Sequence, residues 1–230
     1  MLLTACGIIT LDIFAADLPA IANPGQLLYV PRGIHMSVGG HPANVSINLI
    51  NLKFPHNEVS LSAAIGDDLA GDFIARIFEK YGVKTHFQKI DNLGTTKDVI
   101  LIVKGEDRRY HVEAGASMHL NHRLVMKTLQ SECPLVFYVG GAGMLGDFDE
   151  ALKKTLKYAK KMGCVTFVDV VTPYKKKWDF LIPAFENVDL FHCNVEELKS
   201  ITGRSNIREG TEILLSKGVK MAFVTMGEKG

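Results

Sequence analysis

No apolar run in the sequence reaches the roughly 18 residues that a membrane-spanning helix needs, so no span is expected. The N-terminal stretch MLLTACGIITLDIF is apolar, but it has no basic residues ahead of it and meets Asp12 before a secretory core could finish. It reads as a buried strand, not as a signal peptide. An excess of one charge is also missing. The formal net charge is +1, which removes the electrostatic reason to expect nucleic acid or an anionic membrane as partner. Cysteine is sparse. Cys6, Cys133, Cys164 and Cys193 are scattered, each in or beside an apolar run. That spacing offers neither a disulfide frame nor a metal knot, and the four are expected to be reduced core thiols of a cytoplasmic protein. A Walker A loop, a nucleophile elbow and an HExxH zinc motif are all absent, as are internal repeats and low-complexity linkers. His119 and His122 have no third ligand of helical spacing nearby, so a surface loop is a better reading than a metal site.

What is present looks globular. Hydrophobic residues make up 47% and charged residues 22% of 230 positions, the proportions of an ordinary folded domain. That length is long for one core and short for two, so a single α/β domain with an appendage is expected over 1–230. Apolar β-type runs alternate with amphipathic helical stretches. Strands are expected at 2–9, 58–66, 134–141, 164–170, 188–193 and 220–227, and helices at 43–52, 72–82, 147–161, 194–202 and 207–217. Strand–helix–strand repetition with near-continuous apolar strands predicts a mostly parallel central sheet with helices on both faces. Two segments break the rhythm: 26–38 and the hairpin-like 95–113 are β-like with turn signals at Pro31–Gly33 and Gly105–Asp107. They predict a small antiparallel flap or lid, built from about 13–38 and 95–115.

Ligands of an open parallel sheet bind beyond the carboxyl ends of its strands. The residues to inspect there are Asp12, Gly39–Asn44, Gly66–Asp68, Gly140–Gly146, Asp169, Asn194–Glu197 and Thr225–Gly227. Asp12 is expected to end the first strand, where a carboxylate either caps a turn or accepts two neighbouring hydroxyls of a polyol. Gly39 and Gly40 allow close backbone approach, Pro42 suits a first helical turn, and the Asn44 amide can both donate and accept. A tight turn with a helix cap would explain most of this, but not its coincidence with the ligand edge. A competing pattern is G-x-G-x-x-G at Gly141, Gly143 and Gly146, followed by Asp169 at the end of the next strand. That is the layout of an NAD(P)-binding fingerprint. It leaves Gly39–Asn44 and the flap without a role.

GGHPANVSI resembles the first signature of the ribokinase-like (PfkB) carbohydrate kinases, in the GG-x-PAN-V form of fructokinase-like members. AIGDDLAGDF (64–73) resembles the next block of that family, with Gly66, Asp68 and Gly71 in place. NVEELKSITG (194–203) resembles its N-x-x-E helix, VTMGEKG (224–230) its V-T-x-G-x-x-G stretch, and the flap its β lid. The resemblance implies an ATP-dependent kinase that phosphorylates the hydroxymethyl group of a small sugar, or a nucleoside kinase of the same family. Asp12, Gly39, Gly40 and Asn44 would hold acceptor hydroxyls, and His41, where relatives often carry other residues, would help choose the substrate. Asn194 and Glu197 would hold the water shell of Mg²⁺ near the phosphates, although a helix N-cap with a capping-box acid explains the same two residues. Thr225 and Gly227 would line the nucleotide side.

The sequence departs from the family pattern at three places. The signature D-T-x-G-A-G-D, with the proton-accepting aspartate, does not occur in it. The general base is therefore expected beyond Gly230, and the chain as given is expected to be a nearly inert piece of a longer kinase. After the strand ending at Asp169, Val171 and Pro173 stand where many relatives have polar residues. Lys175–Lys177 either supply charge to a phosphate or form a solvated patch. His41 is the third departure. A sugar-binding or dimerisation module without catalysis is the remaining class, with Ile100 and Ile102 expected as exposed lid residues that a second copy would cover.

Overall fold

The computed structural model describes residues 1–230, the side chain of Lys229 excepted. In chain order the strands are β1 (Leu3–Gly7), β2 (Thr10–Leu18), β3 (Ile34–Gly39), β4 (Val59–Gly66), β5 (Lys84–Ile90), β6 (Lys97–Val103), β7 (Arg109–Glu113), β8 (Val136–Ala142), β9 (Val165–Val170), β10 (Leu190–Asn194) and β11 (Met221–Thr225). The helices are α1 (His41–Asn51), α2 (Leu69–Tyr81), α3 (His122–Glu132), α4 (Asp147–Lys161), α5 (Val195–Thr202) and α6 (Ile207–Ser216).

Seven strands form the central sheet in the order β11-β10-β9-β8-β1-β4-β5, with every neighbouring pair parallel. The unbroken apolar runs are explained by burial on both faces: β1 and β4 are buried along their whole length. On one face α1 and α2 supply Ala43, Ile74 and Phe78 to a core with Leu61 and Ile65. On the other, α3, α4, α5 and α6 supply Val125, Leu152, Leu156, Leu198 and Leu214. Local signals agree with the helix ends. The Asp68 carboxylate caps α2 by accepting the Gly71 N–H at 2.8 Å, and Gly82 closes the helix in the left-handed region at φ 66°. Helix α4 carries acids in its first turn and lysines in its last, which suits the helix dipole. Among the described residues, no helix is long and apolar enough to cross a membrane.

The structure differs from the sequence reading in several elements. Strand β5 and helix α3 were not anticipated. KTHFQKI is an edge strand whose lysines are exposed and whose other side chains are only partly buried, and HRLVMKTLQSE buries only a narrow stripe, so neither carries a strong apolar period. The lid is a four-stranded sheet in the order β3-β2-β6-β7, and it is mixed instead of antiparallel. The β2–β3 and β6–β7 pairs are antiparallel, while β2 and β6 run parallel. Residues 26–33 form no strand; their Leu28 and Val30 pack on a small cluster of Ala15, Leu18 and Val103. Ile100, expected to be exposed, is buried in the lid. Cys133, expected in the core, is exposed and ends α3 in the left-handed region.

That last difference can be measured. Burial raises the Cys6 thiol well above its usual value, raises Cys164, and pushes Cys193 up to about 12. A thiol reagent should therefore label Cys133 alone in the folded protein and all four cysteines after denaturation. Rapid native labelling of a second cysteine would contradict this burial pattern.

Candidate functional site

The site begins where β1 ends early. Gly7 has φ 138°, and a Cβ there would run into the Gly140 carbonyl oxygen. The chain turns away through Ile8, whose N–H donates to that same carbonyl, and enters the lid. Asp12 therefore does not end the first strand of the central sheet. It lies in β2, where Asp12 faces Ser37 of β3 and Thr10 faces Gly39. The carboxylate nevertheless reaches the mouth of α1. A Cβ on Gly39 would collide with both Asp12 oxygens, so Gly39 is glycine because the carboxylate lies over it. Thr10 donates its hydroxyl to Asp12 Oδ1 at 2.5 Å. Burial raises the Asp12 pKa, the Thr10 hydrogen bond opposes this, and the neighbouring Asp98 adds to the rise.

Gly40 has a different reason. Its φ is 91°, and a Cβ would strike the Ile8 carbonyl. Helix α1 starts directly after it, with Pro42 in its first turn and no side-chain cap. The Asn44 side chain is exposed and makes no hydrogen bond among the described residues. His41 packs on the end of β8, where a Cβ on Gly140 would lie 2.6 Å from the His41 Cβ. Burial lowers its pKa, against the pull of Asp169 and with the push of His192. His41 thus sits farther along the sheet edge than Asp12, toward β9 and β10.

There the structure shows a cluster that sequence reasoning missed. Asp169 accepts the Tyr138 hydroxyl at 2.6 Å and His192 Nδ1 at 2.7 Å. Burial would raise Asp169, but the His192 bond, His41 and Tyr138 outweigh it and the pKa falls. The Asp169 bond in turn raises His192. Asp169 was singled out, but its partners arise from strand register, since His192 lies beside Asp169 across β9 and β10.

At the far end of the edge, Asn194 and Thr225 are register partners of β10 and β11. Asn194 and Glu197 form a reciprocal capping box, with Asn194 Oδ1 accepting the Glu197 N–H and Glu197 Oε2 accepting the Asn194 N–H, both at 2.8 Å. Glu197 keeps its other oxygen. Burial raises its pKa, the Asn194 N–H lowers it, and the nearby Asp169 charge raises it again. His192 opposes that rise, and the unbonded Glu197 oxygen is a hard donor of the kind that would hold a water of Mg²⁺. A shallow cleft adjoins it, lined by Asn194, Val195, Glu196, Thr225, Met226 and Gly227.

The glycine-rich loop at 140–146 does not serve a dinucleotide. The N–H groups that would meet a pyrophosphate are taken by the protein's own carboxylate. Gly143 N–H donates to Asp149 Oδ1 at 2.9 Å and Leu145 N–H to Oδ2 at 3.0 Å. Lys176 pairs with the same group at 2.9 Å. Added Cβ atoms on Gly141, Gly143 and Gly146 would hit Ile8, the Val171 carbonyl and the Met118 carbonyl. These glycines are explained by close packing. The Lys175–Lys177 run is likewise partly structural, with Lys176 on Asp149 and Lys175 over the Tyr174 ring. Asp68 ties α2 to the lid root, accepting the Thr95 N–H at 2.9 Å and the Thr95 hydroxyl at 2.6 Å. No group of three potential metal-ligating side chains occurs among the described residues.

A family model described as pfkB family carbohydrate kinase matches residues 3–230. The deoxyribokinase of Salmonella typhi is 23% identical over 221 residues, covering 90% of the chain; the chain spans 66% of that relative's length. The ribokinase of Giardia lamblia superposes with a TM-score of 0.82 at 16% identity, covering 100% of this chain and 70% of its own. The Arabidopsis thaliana ribokinase, solved with ribose and ATP, gives 0.76 at 19% identity, covering 100% and 73%. These likenesses establish a ribokinase-like fold.

Proposed function

Because the chain belongs to the pfkB family of carbohydrate kinases, we propose that it holds a small sugar at the lid and receives a phosphoryl group from ATP on the sugar's hydroxymethyl group. The observation that carries this is a pair of chemically different side-chain groups, one where the lid sheet meets the start of α1 and one at the carboxyl ends of β10 and β11 in the central sheet. In the first, Asp12 over Gly39, beside the exposed Asn44, offers hydroxyl acceptors and an amide. In the second, the Asn194–Thr225 pair with Glu197 offers a carboxylate with one unbonded oxygen and a cleft.

The chemistry suits such an arrangement, because phosphoryl transfer asks mainly for positioning and charge neutralisation. Mg²⁺, when bound, would screen the phosphate charge, with Glu197 holding its water shell. The lid would close over the sugar and keep water from competing as acceptor. No residue of 1–230 is assigned as general base, since the aspartate of the family signature has no counterpart in the sequence. A nucleoside acceptor is the second reading, since the same Asp12–Asn44 pair would bind the hydroxyls of a ribose ring. A homodimer through the lid would use Ile34 and Met36 of β3, which are exposed, and not the buried Ile100.

The test is ADP release from ATP and Mg²⁺ with a panel of pentoses, hexoses and nucleosides, using a protein that carries these residues together with the family's D-T-x-G-A-G-D signature. The expected result is acceptor-dependent ADP release with a small sugar. ADP release with nucleosides alone would favour the second reading. NADH binding with no productive acceptor would overturn both.

A further inference from the structure

The central sheet is covered unevenly. On the face of α3 to α6, the inward side chains Thr166, Val168 and Val170 of β9 and Phe191 and Cys193 of β10 are buried. On the opposite face the cover of α1 and α2 ends at β8, where Tyr138 is buried in the same cluster as Ala43. Beyond it the alternate residues of the next three strands stay partly or fully exposed: Phe167 of β9, Leu190 and His192 of β10, and Met221 and Phe223 of β11. Strand register sets Tyr138, Phe167, Leu190 and Met221 in one row, and Asp169, His192 and Phe223 in the next. Met221 is 51% and Phe223 45% exposed. The rings of Tyr138, Phe167 and Phe223 follow one another at centroid distances of 5.2 and 6.2 Å.

Strands of a parallel sheet are covered on both faces, so an apolar row left open over three of them is a docking surface. Its dimensions restrict what fits. Three strands spaced about 4.8 Å apart leave room for one helix of about 10 Å diameter. Strand β9 has six residues, a length of about 20 Å that about 13 helical residues match. The polar group within the face is prepared for burial. Asp169 is satisfied by the Tyr138 hydroxyl and His192 Nδ1, so covering it leaves no carboxylate oxygen without a donor.

The source of the cover follows from the relatives. The chain superposes over its whole length on the Giardia lamblia and Arabidopsis thaliana ribokinases but spans 70% and 73% of theirs, so proteins of this fold hold further polypeptide. Strand β11 is the margin of the sheet beside the open face. A segment joined just after it meets the face as an intramolecular partner, at an effective concentration of the order of mM that a second copy does not match. We infer that this face seats one amphipathic helix of about 13 residues, supplied by the same polypeptide beyond Gly230, with its apolar stripe on Phe167, Leu190, Met221 and Phe223. The inference does not depend on which acceptor is bound.

The test is hydroxyl-radical footprinting, read by mass spectrometry, of 1–230 and of the polypeptide encoded by the whole reading frame, with the size of each measured by light scattering. No substitution is needed, because methionine and phenylalanine are themselves oxidised. Met221 and Phe223 should react quickly in 1–230 and at least about ten-fold more slowly in the longer polypeptide, since a covered side chain reacts only on opening. Phe54, exposed in the loop after α1, should react alike in both. In the longer polypeptide, Met221→Cys carrying a benzophenone should crosslink within one molecule to a segment beyond Gly230 whose apolar residues recur at helical spacing. Equal oxidation of Met221 and Phe223 in the two polypeptides overturns the inference. So does a reading frame that ends at Gly230, or a crosslink to a segment of strand-like alternation. Protection in 1–230 that accompanies dimerisation also overturns it, and assigns the face to a second copy.

Discussion

Asp189→Ala should cost about 3–5 kcal/mol of stability, the range for breaking a buried ion pair from one side. Asp189 lies just ahead of β10, nearly buried, and binds in several directions at once. Lys160 of α4 and Lys220 before β11 each donate to its Oδ1 at 2.7 Å. The Thr166 N–H and hydroxyl both donate to Oδ2 at 3.0 Å. One side chain thus joins β9, β10, α4 and the approach to β11. Removing it leaves the half-buried Lys160 without its partner and the Thr166 N–H unsatisfied, while the Thr166 hydroxyl keeps the Asn187 carbonyl as acceptor. The Lys220 pair adds little, because that lysine is 69% exposed and screened by solvent. Urea unfolding of the variant against the parent measures the loss, and a change below about 1 kcal/mol would contradict this accounting.

The same residue fixes a pH dependence. Burial by itself would raise the Asp189 pKa, but the bonds from Lys160, Lys220 and Thr166 outweigh it and hold the group well below the usual carboxylate range. A depressed folded-state pKa gives stability that is present above the unfolded value of about 3.9 and is lost as pH falls through the folded value. The parent should therefore lose stability below about pH 4 more steeply than Asp189→Ala, and the gap between them should narrow in acid.

How much of this could be read from the chain depends on whether the signal is local. The strands of the central sheet are buried on both faces, so their apolar runs stand out; β1, β4 and β8 fall where the runs do. Capping is local too, and the Asn194–Glu197 box is written three residues apart. Strand β2 was missed as a separate element because Leu3 to Leu18 reads as one apolar stretch interrupted only by Asp12 and Asp17, and the break depends on Gly7 meeting Gly140. The Gly39–Asn44 mouth is a contiguous motif and was legible. The Tyr138–Asp169–His192 cluster and the Asp12–Asp98 pair were not, because each depends on strand register between segments far apart in the chain. The G-x-G-x-x-G loop shows the opposite error. Its local pattern is correct, yet Asp149 fills the anion position from the first turn of the helix that follows.

Adjacent glycines at the mouth of α1 should respond to alanine in opposite ways. Gly40→Ala places a Cβ against the Ile8 backbone at a φ of 91°. Neither the carbonyl nor the left-handed conformation can yield cheaply, so the variant should lose about 2 kcal/mol or more of stability. The nearest atoms that Gly39→Ala would meet all belong to the Asp12 carboxylate, and the φ of Gly39 is not positive. A side chain can rotate where a backbone cannot, so the fold should survive while Asp12 is pushed from its place over the mouth. Losing a charged hydrogen-bonding partner costs about 1.5–3 kcal/mol, so acceptor affinity in Gly39→Ala should fall roughly ten- to hundred-fold. Nucleotide affinity should hold, because Asn194, Glu197 and Thr225 lie at or just after the carboxyl ends of β10 and β11, away from the mouth of α1. Thermal unfolding and calorimetry with sugar and nucleotide separate the two effects. If Gly39→Ala bound sugar as tightly as the parent, Asp12 would have no part in holding the acceptor, and Gly39 would be small for packing alone.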